Sequence, residues 1–193
     1  MLRTDMIRKI AQTLFYYAYN LLGKWNFGTS SESAVQFDAD KKYLLVCNHQ
    51  SRLDPAAALA AFPIKELVKI LPIRFMTARG IYYSPLYLFL ALFGSFPTRK
   101  RSKKYHAVDK AISLLRRGES VIIFPEGKRT LPGLAPHSGV SRIIGGYNGN
   151  DLEIIIIRIN WHVNGFWRKA TIKYELYKGP NSPQAIMDAI YAL

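Results

Sequence analysis

Ser120-Val121-Ile122-Ile123-Phe124, followed at once by Pro125-Glu126-Gly127-Lys128-Arg129-Thr130, decides the fold class. The first five residues are a largely apolar, β-branched run, the pattern of a strand covered on both faces. Pro125 and Gly127 then force a turn, which leaves Glu126, Lys128 and Arg129 at the exit of that strand. Just upstream, residues 105–117 carry helical spacing at Ala107, Ala111, Ile112, Leu114 and Leu115, with Gly118 as the stop. A helix that feeds a doubly covered strand is a building unit of α/β layered domains.

The alternation continues in both directions. Residues 43–47 read as a strand and 51–62 as an alanine-rich helix. Residues 67–70 and 73–77 read as short extended segments, 84–93 as helix and 94–98 as extended chain. Residues 152–160 form a second buried run, while 170–177 alternate as a half-exposed strand does. The polar, small residues 28–40 read as loop, and 179–193 as a short terminal helix with no assigned role. There is no internal repeat or low-complexity linker, and 193 residues suit one domain with a sizeable core. The expected fold is a single α/β domain with a central mixed β-sheet flanked by helices, preceded by an N-terminal amphipathic helix.

That helix is expected over residues 2–25. Leu2, Met6, Ile7, Ile10, Leu14, Phe15, Ala18, Leu21 and Leu22 are apolar, and Arg3, Arg8, Lys9 and Lys24 flank them. Tyr16, Tyr17, Tyr19 and Trp25 cluster towards its end. Basic flanks, an apolar face and aromatics suit a helix lying in a membrane interface; the alternative is a helix packed on its own domain. The expected division is therefore 1–27 for this helix and 28–193 for the main domain. No uninterrupted apolar run reaches the ~18–20 residues of a spanning helix. The nearest, residues 81–96, is broken by Ser84, Pro85, Gly94 and Ser95. No small-residue cleavage site follows the first helix, so no cleavable leader is expected.

Charge narrows the partners. Lys and Arg number 27 against 13 acidic residues, a formal net charge of +14. Such a chain is drawn to anionic matter: nucleic acid, an anionic membrane or an acidic protein. At 49% hydrophobic and 13% aromatic it is too apolar for a disordered chain. The single Cys47 excludes an intramolecular disulfide, points to a reducing cytoplasmic setting, and reads as a buried strand residue rather than a nucleophile.

Asn48-His49-Gln50-Ser51-Arg52-Leu53-Asp54 follows one expected strand and opens an expected helix. His49 and Asp54 are five apart, close enough to meet across a tight first turn. An imidazole with a carboxylate on its other nitrogen is equipped to take a proton from a hydroxyl as that hydroxyl attacks a carbonyl. On spacing alone a second reading stays open, in which Asp54 stabilises a helix N-terminus and His49 is a satisfied buried histidine. At the second turn, Lys128 and Arg129 are suited to a phosphate, the Arg through its planar fork, at a sheet edge where α/β domains bind ligands.

Taken together, His49-x4-Asp54 and Phe124-Pro125-Glu126-Gly127-Lys128-Arg129-Thr130 closely resemble the glycerolipid acyltransferase family, best known for 1-acylglycerol-3-phosphate (lysophosphatidic acid) acyltransferases. The resemblance runs from about Tyr43 to Asn160. It implies His49 as general base and Asp54 as the residue that orients it. Gly94-Ser95-Phe96-Pro97-Thr98-Arg99 looks like the family's second block, which makes Arg99 a ligand of the acceptor's phosphate. Glu126, Gly127 and Arg129 take roles in acceptor binding and site geometry, and Lys128 adds a cation. Lys128 stands where the family commonly has Thr, Ser138 where a lysine is usual, and residues 154–158 lack the fourth block's proline.

The resemblance implies acyl transfer from acyl-CoA or acyl carrier protein to a lysophospholipid hydroxyl, with no cofactor and no metal. It implies a peripheral or monotopic protein on the cytoplasmic side of a phospholipid membrane. Lysophosphatidic acid is the expected acceptor; another lysophospholipid or a lyso-aminolipid is the alternative. The run Arg99-Lys100-Arg101-Ser102-Lys103-Lys104 is a solvated surface, a grip on anionic headgroups or a dock for an acidic carrier protein. No nucleic-acid motif accompanies it, although a non-catalytic basic membrane- or nucleic-acid-binding protein is the rival of another class. His137 lies in a Gly/Pro-rich loop that approaches the motifs or stays on the surface, and His106 and His162 read as structural.

Overall fold

A computed structural model of the chain describes residues 2–23, 27–31, 35–98, 106–127, 135–164 and 167–193. Arg99, Lys128, Arg129 and the basic run 99–104 lie outside the described residues. The described chain folds as one α/β unit around a mixed seven-stranded sheet.

The strands are β1 (Phe27–Ser31), β2 (Lys42–Cys47), β3 (Ile73–Thr77), β4 (Ser95–Pro97), β5 (Ser120–Ile123), β6 (Leu152–Asn164) and β7 (Trp167–Tyr177). Their order is β1-β7-β6-β2-β5-β3-β4. Pairing is parallel everywhere except between β6 and β7. The central strands β2 and β5 and the first half of β6 are apolar almost without alternation because the middle of the sheet is covered on both faces. Tyr43, Leu45 and Cys47 of β2 join one core with Ile122, Ile155, Ile157 and Ile172. Their neighbours Leu44 and Val46 join a second core with Val121, Ile123 and Ile156.

Helices α2 (Asp54–Ala60) and α3 (Ile64–Ile70) cover the first face. The second is covered by α6 (Ala107–Arg116), α7 (Gly139–Tyr147) and α8 (Pro183–Ala192). α6 buries Ala111, Ile112, Leu114 and Leu115 on one stripe. It ends in paired bonds from Gly118 N–H to Leu115 O (2.9 Å) and from Glu119 N–H to Leu114 O (3.1 Å), with Gly118 at φ +83°. This ending buries Glu119, which accepts from Arg74 on β3 at 2.6 Å and from Arg117 at 3.0 Å.

α1 (Leu2–Gly23) packs one face on the domain and leaves the other exposed. Its inner face is pinned to the domain by Gln12, which is fully buried. Gln12 Nε2 donates to Ile73 O at 2.6 Å and to Phe93 O at 2.9 Å, while Ile73 N–H donates to Gln12 Oε1 at 3.0 Å. Phe15 meets Phe93 edge-on at 4.7 Å. Its outer face leaves Met6, Ile7, Ile10, Leu14, Tyr17 and Leu21 exposed, a stripe at helical spacing. The two short helices α4 (Arg79–Tyr82) and α5 (Tyr87–Leu92) have no buried residue.

Some elements differ from expectation. Residues 67–70 are helical, not extended: α3 starts after Pro63, buries Leu67 and Ile70 on one side, and pairs Lys69 with Glu66 at 2.8 Å. Residues 27–31, read mostly as loop, form β1, whose partner strand β7 supplies the ladder that its small side chains do not advertise. The helix expected over 84–93 is α5 alone, with α4 before it and Ser84-Pro85 between them. α7 is an addition to the expected elements. No helix among the described residues is long and apolar enough to cross a membrane.

Candidate active site

β2 and β5 are parallel neighbours, with Val46 paired to Ile123, so the segments leaving their C-terminal ends emerge side by side. This topology brings together the two sequence motifs, which lie some seventy residues apart. Asn48 fixes the first exit. Fully buried, it donates from Nδ2 to Ile159 O at 2.9 Å and accepts at Oδ1 from Ile159 N–H at 2.7 Å. The side chain thus serves β6 as a further rung of backbone would.

His49 Nδ1 lies 2.8 Å from Asp54 Oδ2. The same oxygen accepts from the backbone N–H groups of Gln50 (2.7 Å) and Ser51 (2.8 Å), and Oδ1 accepts from Trp161 Nε1 at 2.6 Å. Asp54 is 0% exposed and His49's side chain 21%. A carboxylate that already takes three N–H donors acts purely as an acceptor, so Nδ1 carries the proton and Nε2 keeps the lone pair. Capturing the Gln50 and Ser51 N–H groups also holds 49–53 in a loop, which is why α2 begins at Asp54 rather than at Ser51. The Asp54 carboxylate thus gathers the loop that precedes α2 and holds His49 at Nδ1. The imidazole rests on Phe124, ring centroids 4.5 Å apart.

Glu126 ties the second motif to the first. It is 4% exposed, and its Oε2 accepts the backbone N–H of His49 at 3.0 Å. Its Oε1 accepts the hydroxyl of Tyr191 on α8. Burial first, and the Glu126 carboxylate second, push the Tyr191 phenol well above its ordinary range, so it remains a donor. Arg158 on β6 donates to Tyr191 O and sits 5.6 Å from its ring centroid. Gly127, at φ +65°, lies so close to His137 that a Cβ would come within 2.6 Å of the ring. His137 N–H donates to Pro125 O at 2.9 Å, which folds that loop back onto the motif.

His49, Asp54, Glu126 and Gly127 are thus brought together, with His137 beside them; Arg99, Lys128 and Arg129 lie outside the described residues. Cys47 is fully buried, and burial pushes its thiol well above the ordinary range, which removes the thiolate a nucleophile needs. Sequence reasoning missed Trp161 and Tyr191. Neither lies in a motif, and the only signals were an indole interrupting the run of β6 and a tyrosine in a helix without a role.

A polar, partly open histidine held at one nitrogen by a buried carboxylate can accept a proton at the other. Residues 29–147 match the family model Acyltransferase. Among solved structures the chain is similar to the crystal structure of the 1-acyl-sn-glycerophosphate (LPA) acyltransferase, PlsC, from Thermotoga maritima. The TM-score is 0.69 at 18% identity, over 96% of this chain and 77% of that one; at that identity the likeness is one of fold. No curated protein matches the chain.

Proposed function

The chain belongs to the acyltransferase family, and from that premise we propose that it acylates the free hydroxyl of lysophosphatidic acid to give phosphatidic acid. The observation that carries the reading is the 2.8 Å contact of His49 Nδ1 with a buried Asp54 anchored at both oxygens. His49 Nε2 takes the proton of the acceptor hydroxyl as its oxygen attacks the thioester carbonyl. The tetrahedral intermediate collapses with loss of the thiolate, which recovers the proton from the imidazolium. No covalent acyl-enzyme is required, because the acceptor is itself the nucleophile.

Acyl-CoA or acyl carrier protein is the donor in this reading. Arg99 and Arg129, with Lys128, hold the acceptor's phosphate, and Glu126 and Gly127 keep the motif in place. The cations of the two motifs and the overall charge of +14 favour an anionic acceptor. The acyl chain arrives from a bilayer against which α1 and α5 lie, on its cytoplasmic side. Support comes from the exposed stripe of α1 and from Leu86, Leu88, Phe89 and Leu92 on and beside α5, Leu88 being 78% exposed. Phe15 and Phe93 join the two helices, and apolar surface of this extent on adjoining helices marks an interaction site.

The test is transfer of labelled acyl groups from acyl-CoA and from acyl carrier protein to a panel of lysophospholipids. Phosphatidic acid as the main product supports the proposal. Preference for a lyso-aminolipid or another lysophospholipid keeps the chemistry and replaces the acceptor.

A further inference from the structure

The geometry points to Trp161 as a positioning residue for the general base, acting through its indole N–H on Asp54. The inference rests on the reading of His49 and Asp54 as the catalytic pair. Three of the donors to Asp54 converge on Oδ2: His49 Nδ1–H and the backbone N–H groups of Gln50 and Ser51. Trp161 Nε1 is the donor on Oδ1, at 2.6 Å. Rotation about the Cβ–Cγ bond moves both oxygens at once, so donors at both ends resist it more firmly than donors at one end alone. The indole N–H thereby stiffens the carboxylate plane and its direction of approach to Nδ1.

The indole is itself held in place. Trp161 lies on β6 four residues beyond Ile157, the residue paired with the last residue of β2, and opposite Ala170 of β7. Asn48 grips Ile159 through both its donor and its acceptor, so the stretch of β6 that carries Trp161 is fastened to the segment that carries His49. The ring packs against the first core. The indole thus reaches Asp54 from a strand 107 positions away in sequence.

A neutral donor on Oδ1 also draws charge away from the carboxylate. Its removal leaves Oδ2 more basic and better able to stabilise the imidazolium, which raises the pH at which His49 becomes a free base. Among the described residues, the other groups that face the pair are Tyr19 from α1, Cys47 from β2, and Glu126 through the backbone N–H of His49. Tyr191 of α8 and Arg158 of β6 lie beyond Glu126, and His137 lies against Gly127. Among the described residues none of these donates to Asp54 Oδ1.

Trp161→Phe removes the N–H and keeps most of the ring. Trp161→3-benzothienylalanine replaces the N–H by sulfur at nearly unchanged shape, and so covers the case in which the Phe protein folds poorly. The readouts are kcat, KM for the acceptor, the pH dependence of kcat/KM, and the NMR titration of the His49 ring. Loss of the N–H is expected to lower kcat about tenfold, a fraction of the ~10²–10⁴ that a general base supplies, with KM little changed. The acid limb of the rate profile and the His49 ring titration should both lie at higher pH in the variants than in wild type. Wild-type kcat and an unmoved titration in the sulfur variant would overturn the inference, even if the Phe variant were impaired, since packing alone would then matter. If instead His49→Ala remained active, the catalytic reading would fall and this role with it, whereas the titration reports on the indole without any substrate.

Discussion

The groups around His49 leave it no choice of tautomer. Asp54 takes Nδ1–H and is kept in position by the Gln50, Ser51 and Trp161 N–H groups, so the lone pair is left on Nε2. Cys47, two residues earlier, has no part in this: its fully buried thiol is held well above the ordinary range, first by burial and then by the charges of Asp54 and Glu126. Cys47→Ala should therefore keep kcat within about twofold of wild type. Removing a small buried group costs of order 1 kcal/mol of stability, read as a modest fall in Tm. A hundredfold loss of kcat in a folded Cys47→Ala protein would instead make the thiol a reactant. At this scale the sequence displays the two motifs and is silent about what holds them. The His-x4-Asp spacing and the Pro-Glu-Gly turn are local and legible. The partners of Asp54 and Glu126 at Trp161 and Tyr191 come from distant strands and helices, and only tertiary pairing brings them near.

Elements fall into those recognisable from their own side chains and those defined by a neighbour. β2, β5 and β6 are legible because both faces of each are buried, and α6 because its apolar stripe is regular. β1 is a strand through its ladder to β7, and α3 escaped notice because four apolar or flanking residues at 67–70 suit either state until Pro63 and the Glu66–Lys69 pair are weighed. α8 is the element whose sequence hinted least at a role. Its Tyr191 donates to Glu126, which holds the backbone of His49, so the helix braces the site from the far side of the sheet. Tyr191→Phe leaves a buried carboxylate oxygen short of a donor, a cost of about 1–3 kcal/mol. A fall in Tm together with a several-fold fall in kcat is expected from thermal melts and steady-state kinetics. An unchanged Tm and kcat would show that α8 merely covers the second core.

At the scale of the whole molecule, two properties follow from where side chains are buried. The phenols of Tyr19, Tyr43 and Tyr147 are each pushed up to about 12, in every case chiefly by burial. In the unfolded chain they titrate near 10. The folded state thus binds more protons between these values, and stability falls as pH rises through that window. Tm should be insensitive to these groups below pH 10 and drop steeply towards pH 12; a flat profile across that range would contradict the burial of the three phenols. The second property is the apolar surface of α1 and α5, on a chain of net charge +14. The triple substitution Leu14→Ser, Leu21→Ser, Leu88→Ser alters residues that are 65%, 65% and 78% exposed, so Tm should hold. Each leucine that enters a bilayer contributes roughly 1.5–3 kcal/mol, so co-sedimentation with vesicles containing phosphatidylglycerol should weaken by at least about tenfold. Equal binding by both proteins would place membrane contact elsewhere.

The central claim is that His49 is the base of an acyl transfer. It is tested most directly by comparing wild type with His49→Ala for transfer of a labelled acyl group to lysophosphatidic acid, with circular dichroism showing both proteins folded. Loss of at least about 10²-fold in kcat, in a protein with an unchanged spectrum, is the predicted result. Equal turnover by the two proteins would contradict it.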